Sequence, residues 1–199
     1  MLKVLVACEF SGTVRDAFTR RGHFAVSCDL LPSESPGFHW QGDVTGILDW
    51  GWDLMIAHPP CDHLAVSGAA WFEQKRADGR QQQGIDFFMK MVNAPIPRKC
   101  IENPIGIMSK LYRKPNQIVD PWQFGDPVSK RTCLWLEGLP NLVPTKIVEK
   151  SKYIKAPSGR SYPEWCWNTG GGSGKKRSMF FQGMADAMAD QWGNENAGD

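Results

Sequence analysis

Asp53-Leu54-Met55-Ile56-Ala57-His58-Pro59-Pro60-Cys61 is the stretch on which the reading of the fold turns. Its first half is a short apolar run with the pattern of a buried strand. Its second half puts a cysteine just past the carboxyl end of that strand, where open α/β sheets bind their ligands. Pro59 and Pro60 fix their own φ angles and offer no amide hydrogens, so Cys61 is presented by a stiff loop. Cysteine is the strongest nucleophile among side chains near neutral pH, and a stiff loop is how a nucleophile is positioned in advance. Free cysteines are also among the most buried residues, and the tetrapeptide alone leaves a thiol packed under a turn equally open.

The surrounding pattern alternates strand and helix. Lys3 to Cys8 reads as a first buried strand. Ser11 is placed to cap a helix carrying Val14, Ala17 and Phe18 on one face, and Gly22 ends it. Phe24 to Cys28 reads as a second strand closing on Asp29, followed by a loop rich in Pro, Ser and Gly from Pro32 to Gly37. Gln81 to Val92 is an amphipathic helix through Ile85, Phe88, Met89 and Val92. Lys99 to Glu102 is a further strand, Lys130 to Leu136 a late one, and Met184, Ala187, Met188 and Trp192 stripe a final helix. This alternation predicts an α/β fold with a doubly wound, mostly parallel sheet. Between Ser151 and Arg177 little periodicity is visible, and Gly170 to Gly174 lacks the pattern of a phosphate-binding loop.

Composition bounds the function classes. At 199 residues the chain suits one domain. No apolar run is long enough for a membrane span, and Met1-Leu2-Lys3-Val4 leads directly into a strand pattern, so a cytoplasmic protein is expected. Its scattered cysteines, with Cys8, Cys28 and Cys100 at or in strands, read as reduced thiols rather than a disulfide framework. A net charge of +2 neither requires nor excludes a nucleic-acid partner.

Four features fall at strand ends, which converge on one edge of a parallel sheet. Gly12 allows close backbone approach after the first strand, and Asp29 is placed to accept hydrogen bonds from ribose hydroxyls after the second. Cys61 follows the strand from Asp53, and Glu102-Asn103-Pro104 the strand from Lys99.

That order resembles the cytosine-5 DNA methyltransferases, over Val4 to about Leu136 and again in the last helix. Phe10-Ser11-Gly12 is similar to the glycine motif that holds S-adenosylmethionine. Asp29, with Leu30 beside it, matches the acidic residue for the cofactor ribose, and Gly42-Asp43-Val44 the motif that meets the adenine. Pro60-Cys61 matches the catalytic pair, with Pro59 on the cofactor side; Glu102-Asn103 matches the Glu-Asn pair that works on the base. Gly125 to Arg131 is similar to the basic motif near the target base. The resemblance implies a Rossmann-like S-adenosylmethionine-dependent methyltransferase fold, S-adenosylmethionine as cofactor, DNA as partner and no metal. Cys61, Glu102, Asn103 and Arg131 are then the catalytic group; Ser67, Lys130, Arg131, Lys175, Lys176 and Arg177 form the DNA-binding group. A Glu acting on cytosine N3 is expected to have its pKa raised by burial. The organisation implied is a single domain, expected as a monomer: a core over 1–136, a reduced substrate-facing segment over 137–180, and a closing helix over 181–193.

The chain departs from the family pattern at several places. Val14 replaces a second glycine, Asp62 follows the cysteine in place of Gln, and Met184 stands where an Asn is usual. Only Cys133 to Ser178 is available where the family inserts a target-recognition domain. The other readings are a methyltransferase for a free or single-stranded pyrimidine or an exocyclic amine, and a non-catalytic DNA-binding derivative. A zinc deaminase is set aside, because no His-x-Glu and no Pro-Cys-x-x-Cys occurs.

Overall fold

The computed structural model describes residues 1–157, 159, 161–164 and 180–194. The expected run of Lys175 to Arg177, the Gly170–Gly174 stretch and Cys166 lie outside the described residues.

Strands β1 (Lys3–Ala7), β2 (Phe24–Asp29), β3 (His39–Gln41), β4 (Leu54–Ala57), β5 (Arg98–Pro104), β6 (Gln117–Val119) and β7 (Thr132–Glu137) form one seven-stranded sheet, ordered β3-β2-β1-β4-β5-β7-β6. The first five are parallel; β7 runs antiparallel to both β5 and β6. The order reverses between β1 and β4, which creates the crevice where such sheets bind ligands.

Alternation along the strands builds two cores. Val4, Val6, Leu54, Ile56, Cys100, Leu134 and Leu136 face α1 (Thr13–Arg20) and the closing helix. Leu5, Ala7, Met55, Ala57, Ile101, Cys133 and Trp135 face the other way, with the helix Arg80–Val92 among their partners. Two shorter helices, α2 (Phe72–Ala77) and α4 (Met108–Leu111), flank that helix, α3, in the chain, and the closing helix is α5 (Gln182–Trp192). In α1, Val14, Ala17 and Phe18 are buried, as their helical spacing predicts. Helices α1 and α5 are clipped together at the surface by Arg20 to Asp186 at 2.8 Å and Arg21 to Asp190. Helix α5 comes so close to the chain before β7 that a Cβ on Gly183 would lie 1.9 Å from the Phe124 carbonyl oxygen.

Several expectations are corrected. The first strand ends at Ala7, because Cys8 takes φ 60°, and its side chain is half-buried rather than part of the core. The late strand begins at Thr132, not Lys130. The cap position of α1 is Gly12 at φ 79° rather than Ser11, although Ser11 Oγ accepts the first amide, of Thr13, at 3.3 Å; the next two, of Val14 and Arg15, are taken by the buried Glu9 carboxylate at 2.7 and 3.2 Å. The irregular segment holds a small antiparallel ribbon, β8 (Tyr153–Lys155) with β9 (Ser161–Pro163), outside the main sheet.

Candidate active site

In the register of β4 and β5, Ala57 lies opposite Ile101, so His58 and Glu102 follow side by side at the carboxyl edge. The alternation turns both to the α1/α5 face. There His58 Nδ1 lies 3.1 Å from Glu102 Oε2, with both side chains largely buried. Phe180 packs on the imidazole at 4.7 Å between ring centroids. On the opposite face Asn103 Nδ2 donates to the Pro59 carbonyl at 2.7 Å. The stiff loop is thereby tied to the neighbouring strand. A turn follows, in which the Leu64 and Ala65 amides both donate to the Cys61 carbonyl at 2.9 Å. Cys61 itself is half-buried.

Electrostatics at this edge oppose the simplest form of the expectation. Burial raises the Glu102 pKa, but the His58 hydrogen bond, the His58 charge and Lys130 together outweigh it, so the carboxyl is held below its ordinary value. The expected raised carboxyl is corrected: its partner is the residue that opens the His-Pro-Pro-Cys tetrapeptide. Burial pushes the Cys61 thiol up, with Glu102 and Asp62 adding to the effect and Lys130 opposing it. A raised thiol pKa means little thiolate at neutral pH. Alkylation of Cys61, followed by peptide mass spectrometry, is therefore expected to be slow at neutral pH and to accelerate through a pH range above that of an ordinary thiol. Lys130→Gln should move that profile further up; a profile centred on the ordinary range in the wild type would contradict the assignment.

The other strand ends form a second cluster. Asp29 is half-buried at the end of β2; its Oδ1 accepts the Leu31 amide at 2.9 Å. Leu30 is 73% exposed beside it. Asp43 caps a 3-10 turn over Val44–Gly46, its Oδ1 accepting the Thr45 amide at 2.9 Å, while Val44 is buried against the sheet. Hydrogen bonds from the Thr45 amide and hydroxyl hold the Asp43 carboxyl below its ordinary value. Burial pushes the neighbouring Cys28 thiol up to about 12, with Asp29 and Asp43 adding to it. Phe10 is buried and Ser11 donates to Glu9 Oε1 at 3.2 Å.

Gly12 is also required by its own surroundings. A Cβ there would meet Arg15 Nη2 at 2.4 Å. Arg15 is fully buried, and its guanidinium donates to Ser27 Oγ and Ser33 Oγ at 3.1 Å and to the Ser35 and Pro36 carbonyls at 3.1 and 3.0 Å. It fastens the loop after Asp29 to the first helix. Glu9, Arg15 and His58 are the residues that the strand-end reading passes over. For His58 the signal was at hand, since it directly precedes the prolines.

The basic group divides. Lys130 is half-buried with its Nζ 5.6 Å from the Phe181 ring centroid, close enough to act on Cys61 and Glu102; Arg131 and Ser67 are exposed. Met184, at the position where Asn is usual, is buried in the core between α1, α5 and the sheet. Among the described residues, no group of three or more His, Cys, Asp or Glu side chains is placed to hold a metal ion. No helix among them is long and apolar enough to cross a membrane.

No protein-family model and no curated protein sequence matches this chain. Among solved structures, it is similar to the Entamoeba histolytica methyltransferase EhMeth, at 13% identity and a TM-score of 0.50, over 74% of this chain and 58% of that one. It is also similar to a protein described as a candidate DNA modification methyltransferase encoded within an E. coli prophage, at 18% identity and a TM-score of 0.49, over 75% of this chain and 52% of that one. The fold is a Rossmann-like methyltransferase fold. The chain spans little more than half the length of either protein.

If the β2 end faces a nucleoside, Asp29→Ala should weaken S-adenosylmethionine binding at least about tenfold in calorimetry, the range for losing a hydrogen bond to a charged group. Wild-type affinity in that variant would remove Asp29 from the site.

Proposed function

We propose that this chain transfers a methyl group from S-adenosylmethionine to carbon 5 of cytosine in DNA. The observation that supports it most is the register of β4 and β5. It sets the loop that carries Cys61 beside Glu102 at the carboxyl edge, with Asn103 tying Pro59 in place at 2.7 Å. The residues at the β1, β2 and Asp43 ends suit the cofactor: Asp29 keeps Oδ2 without a protein hydrogen bond among the described residues, and Asp43 stays exposed. When bound there, S-adenosylmethionine supplies an electrophilic methyl on a sulfonium.

Carbon 5 of cytosine is a poor nucleophile, and the chain's own groups remedy this. The Cys61 thiolate adds to carbon 6, forming a carbon–sulfur bond and moving electron density to carbon 5. Glu102, oriented by His58, donates a proton to N3 during that addition; because its carboxyl is held below its ordinary value, it takes that proton up from solvent as the base binds and recovers it from N3 when the adduct collapses. Lys130 favours the thiolate, countering the burial of Cys61. After carbon 5 is methylated, its proton passes to water, the electron pair left behind restores the ring double bond as the carbon 6–sulfur bond breaks to release Cys61, and N3 gives its proton up. A cytosine stacked in duplex DNA must flip out to reach these groups. The reaction is tested by mass spectrometry of nucleosides from DNA incubated with the protein and S-adenosylmethionine. 5-Methylcytosine is expected; N4-methylcytosine would move the reading to an amino-methylating reaction, and unmodified DNA would remove it.

A further inference from the structure

We propose that His58 is a positioning residue that gives the two carboxyl oxygens of Glu102 separate tasks: Oε2 is held by the imidazole, and the proton meant for cytosine N3 is carried on Oε1. Glu102 Oε2 lies 3.1 Å from His58 Nδ1. A carboxylate only accepts, so Nδ1 carries the hydrogen of this bond whether the ring is neutral or protonated. That hydrogen has no better place on the ring. Nε2 is buried without a partner among the described residues, and a donor there would go unpaired. The terminal torsion of a glutamate is broad and roughly two-fold, so an unheld carboxyl exchanges its oxygens freely. With Oε2 committed to Nδ1, a hydrogen taken up by the carboxyl goes to Oε1.

The imidazole is itself fixed from several sides. The His58 amide donates to the Ala7 carbonyl at 2.9 Å, which ties its backbone to β1. Pro59, next in the chain, restricts His58 to extended backbone. Phe180 packs on the ring at 4.7 Å between centroids. Titratable groups surround the pair from each neighbouring element. Cys100 shares β5 with Glu102, Cys61 and Asp62 lie on the loop that His58 opens, and Lys130 precedes β7. Cys8 and Glu9 follow β1, where the Glu9 carboxylate is occupied by the Val14 and Arg15 amides. On the side of the closing helix, Asp126 accepts the Gly183 amide at 3.0 Å. His58 and Lys130 are the cations that act on Glu102. A proton that reaches Oε1 leaves the Nδ1 bond intact, because the carbonyl oxygen of the acid still accepts. When N3 takes that proton, the Oε1–H bond breaks and the N3–H bond forms. The electron pair stays on a carboxylate that His58 continues to hold.

This inference rests on the proposed reaction at cytosine, and the experiment keeps the two apart. In the full chain, His58→Phe and His58→Asn are compared with wild type. Formation of 5-methylcytosine is followed across a pH series. The Glu102 carboxyl is titrated by NMR in protein carrying carbon-13 in its glutamate carboxyls, with Glu102→Gln assigning the signal. Phenylalanine keeps a ring to pack on Phe180 but loses the hydrogen; asparagine returns a neutral N–H near the place of Nδ1. His58→Phe is expected to lower kcat about ten- to a hundredfold, with KM for DNA within about twofold, as a misdirected acid loses part of what general acid catalysis supplies. Its Glu102 titration and the alkaline limb of its rate profile should both move up, because burial then raises the carboxyl with Lys130 left to oppose it. His58→Asn should recover part of kcat and titrate between the other two. Wild-type kcat and an unshifted titration in His58→Phe overturn the proposal, as does a kcat loss that neither moves the titration nor recovers in His58→Asn. Should His58→Phe fail to fold, His58→Asn decides: a titration equal to that of wild type overturns the proposal. If wild type forms 5-methylcytosine without dependence on His58, only this inference falls. If it forms none while the pair titrates as expected, the proposed reaction falls and the assignment of the two oxygens stands.

Discussion

Cys61→Ser is expected to abolish covalent trapping on DNA containing 5-fluorocytosine and to lower methyl transfer by roughly a thousandfold or more. Fluorine at carbon 5 cannot leave as a proton does, so elimination is blocked and the wild-type adduct persists through denaturing electrophoresis. A serine hydroxyl at Cys61 is far less ionised than a thiol, even one whose pKa is pushed up by burial. Glu102→Gln should slow trapping while leaving S-adenosylmethionine affinity largely intact, because its hydrogen bond to His58 and its place on β5 put its work on the base side. A Cys61→Ser protein that methylates at the wild-type rate would end the covalent mechanism.

The second large effect concerns folding. Arg15→Met is expected to destabilise the protein by about 3–5 kcal/mol, the range for removing the buried member of an ion pair, here one that also satisfies four neutral acceptors. Methionine fills much of the same space, but Ser27, Ser33, Ser35, Pro36 and Asp16 lose the donor that satisfies them. At this chain length the melting temperature should fall by roughly 6–20 °C. Cofactor affinity should fall too, since the loop that Arg15 fastens begins directly after Asp29. Arg15→Lys should recover only part of the loss, because an ammonium cannot span acceptors arranged around a planar fork. A melting temperature within a degree or so of wild type would show that the loop holds without the arginine.

The legible parts of this molecule were those governed by local pattern. β1, β2, β4, β5 and the late strand are apolar runs that fill both cores, and the stripes of α1, α3 and α5 follow from helical spacing. β3, β6, β8 and β9 are three residues each, too short to show alternation, and Trp40 and Ile118 on two of them are exposed. The reversal of β7 between β5 and β6 depends on pairings between distant residues and leaves no local trace. At the site, Cys61 and Glu102 could be found because one lies shortly past the carboxyl end of β4 and the other close to the carboxyl end of β5. The lowered Glu102 carboxyl could not, because it depends on a partner that only the strand register brings alongside. Arg15 likewise reads as an exposed helix charge until the Ser33–Pro36 loop is wrapped around it.

Phe124 has a consequence for how such chains diversify. Its backbone bridges to Lys146, and its carbonyl abuts Gly183, so the intervening segment leaves and rejoins the framework at one residue. A loop whose ends already meet adds little closure entropy as it lengthens, about 0.6 kcal/mol for each doubling. Insertions of very different size are therefore tolerated there at nearly constant stability, with the seven strands and both helical layers undisturbed. The junction at Phe124 is a port at which longer or unrelated segments can be exchanged without disturbing the residues gathered at the carboxyl edge of the sheet.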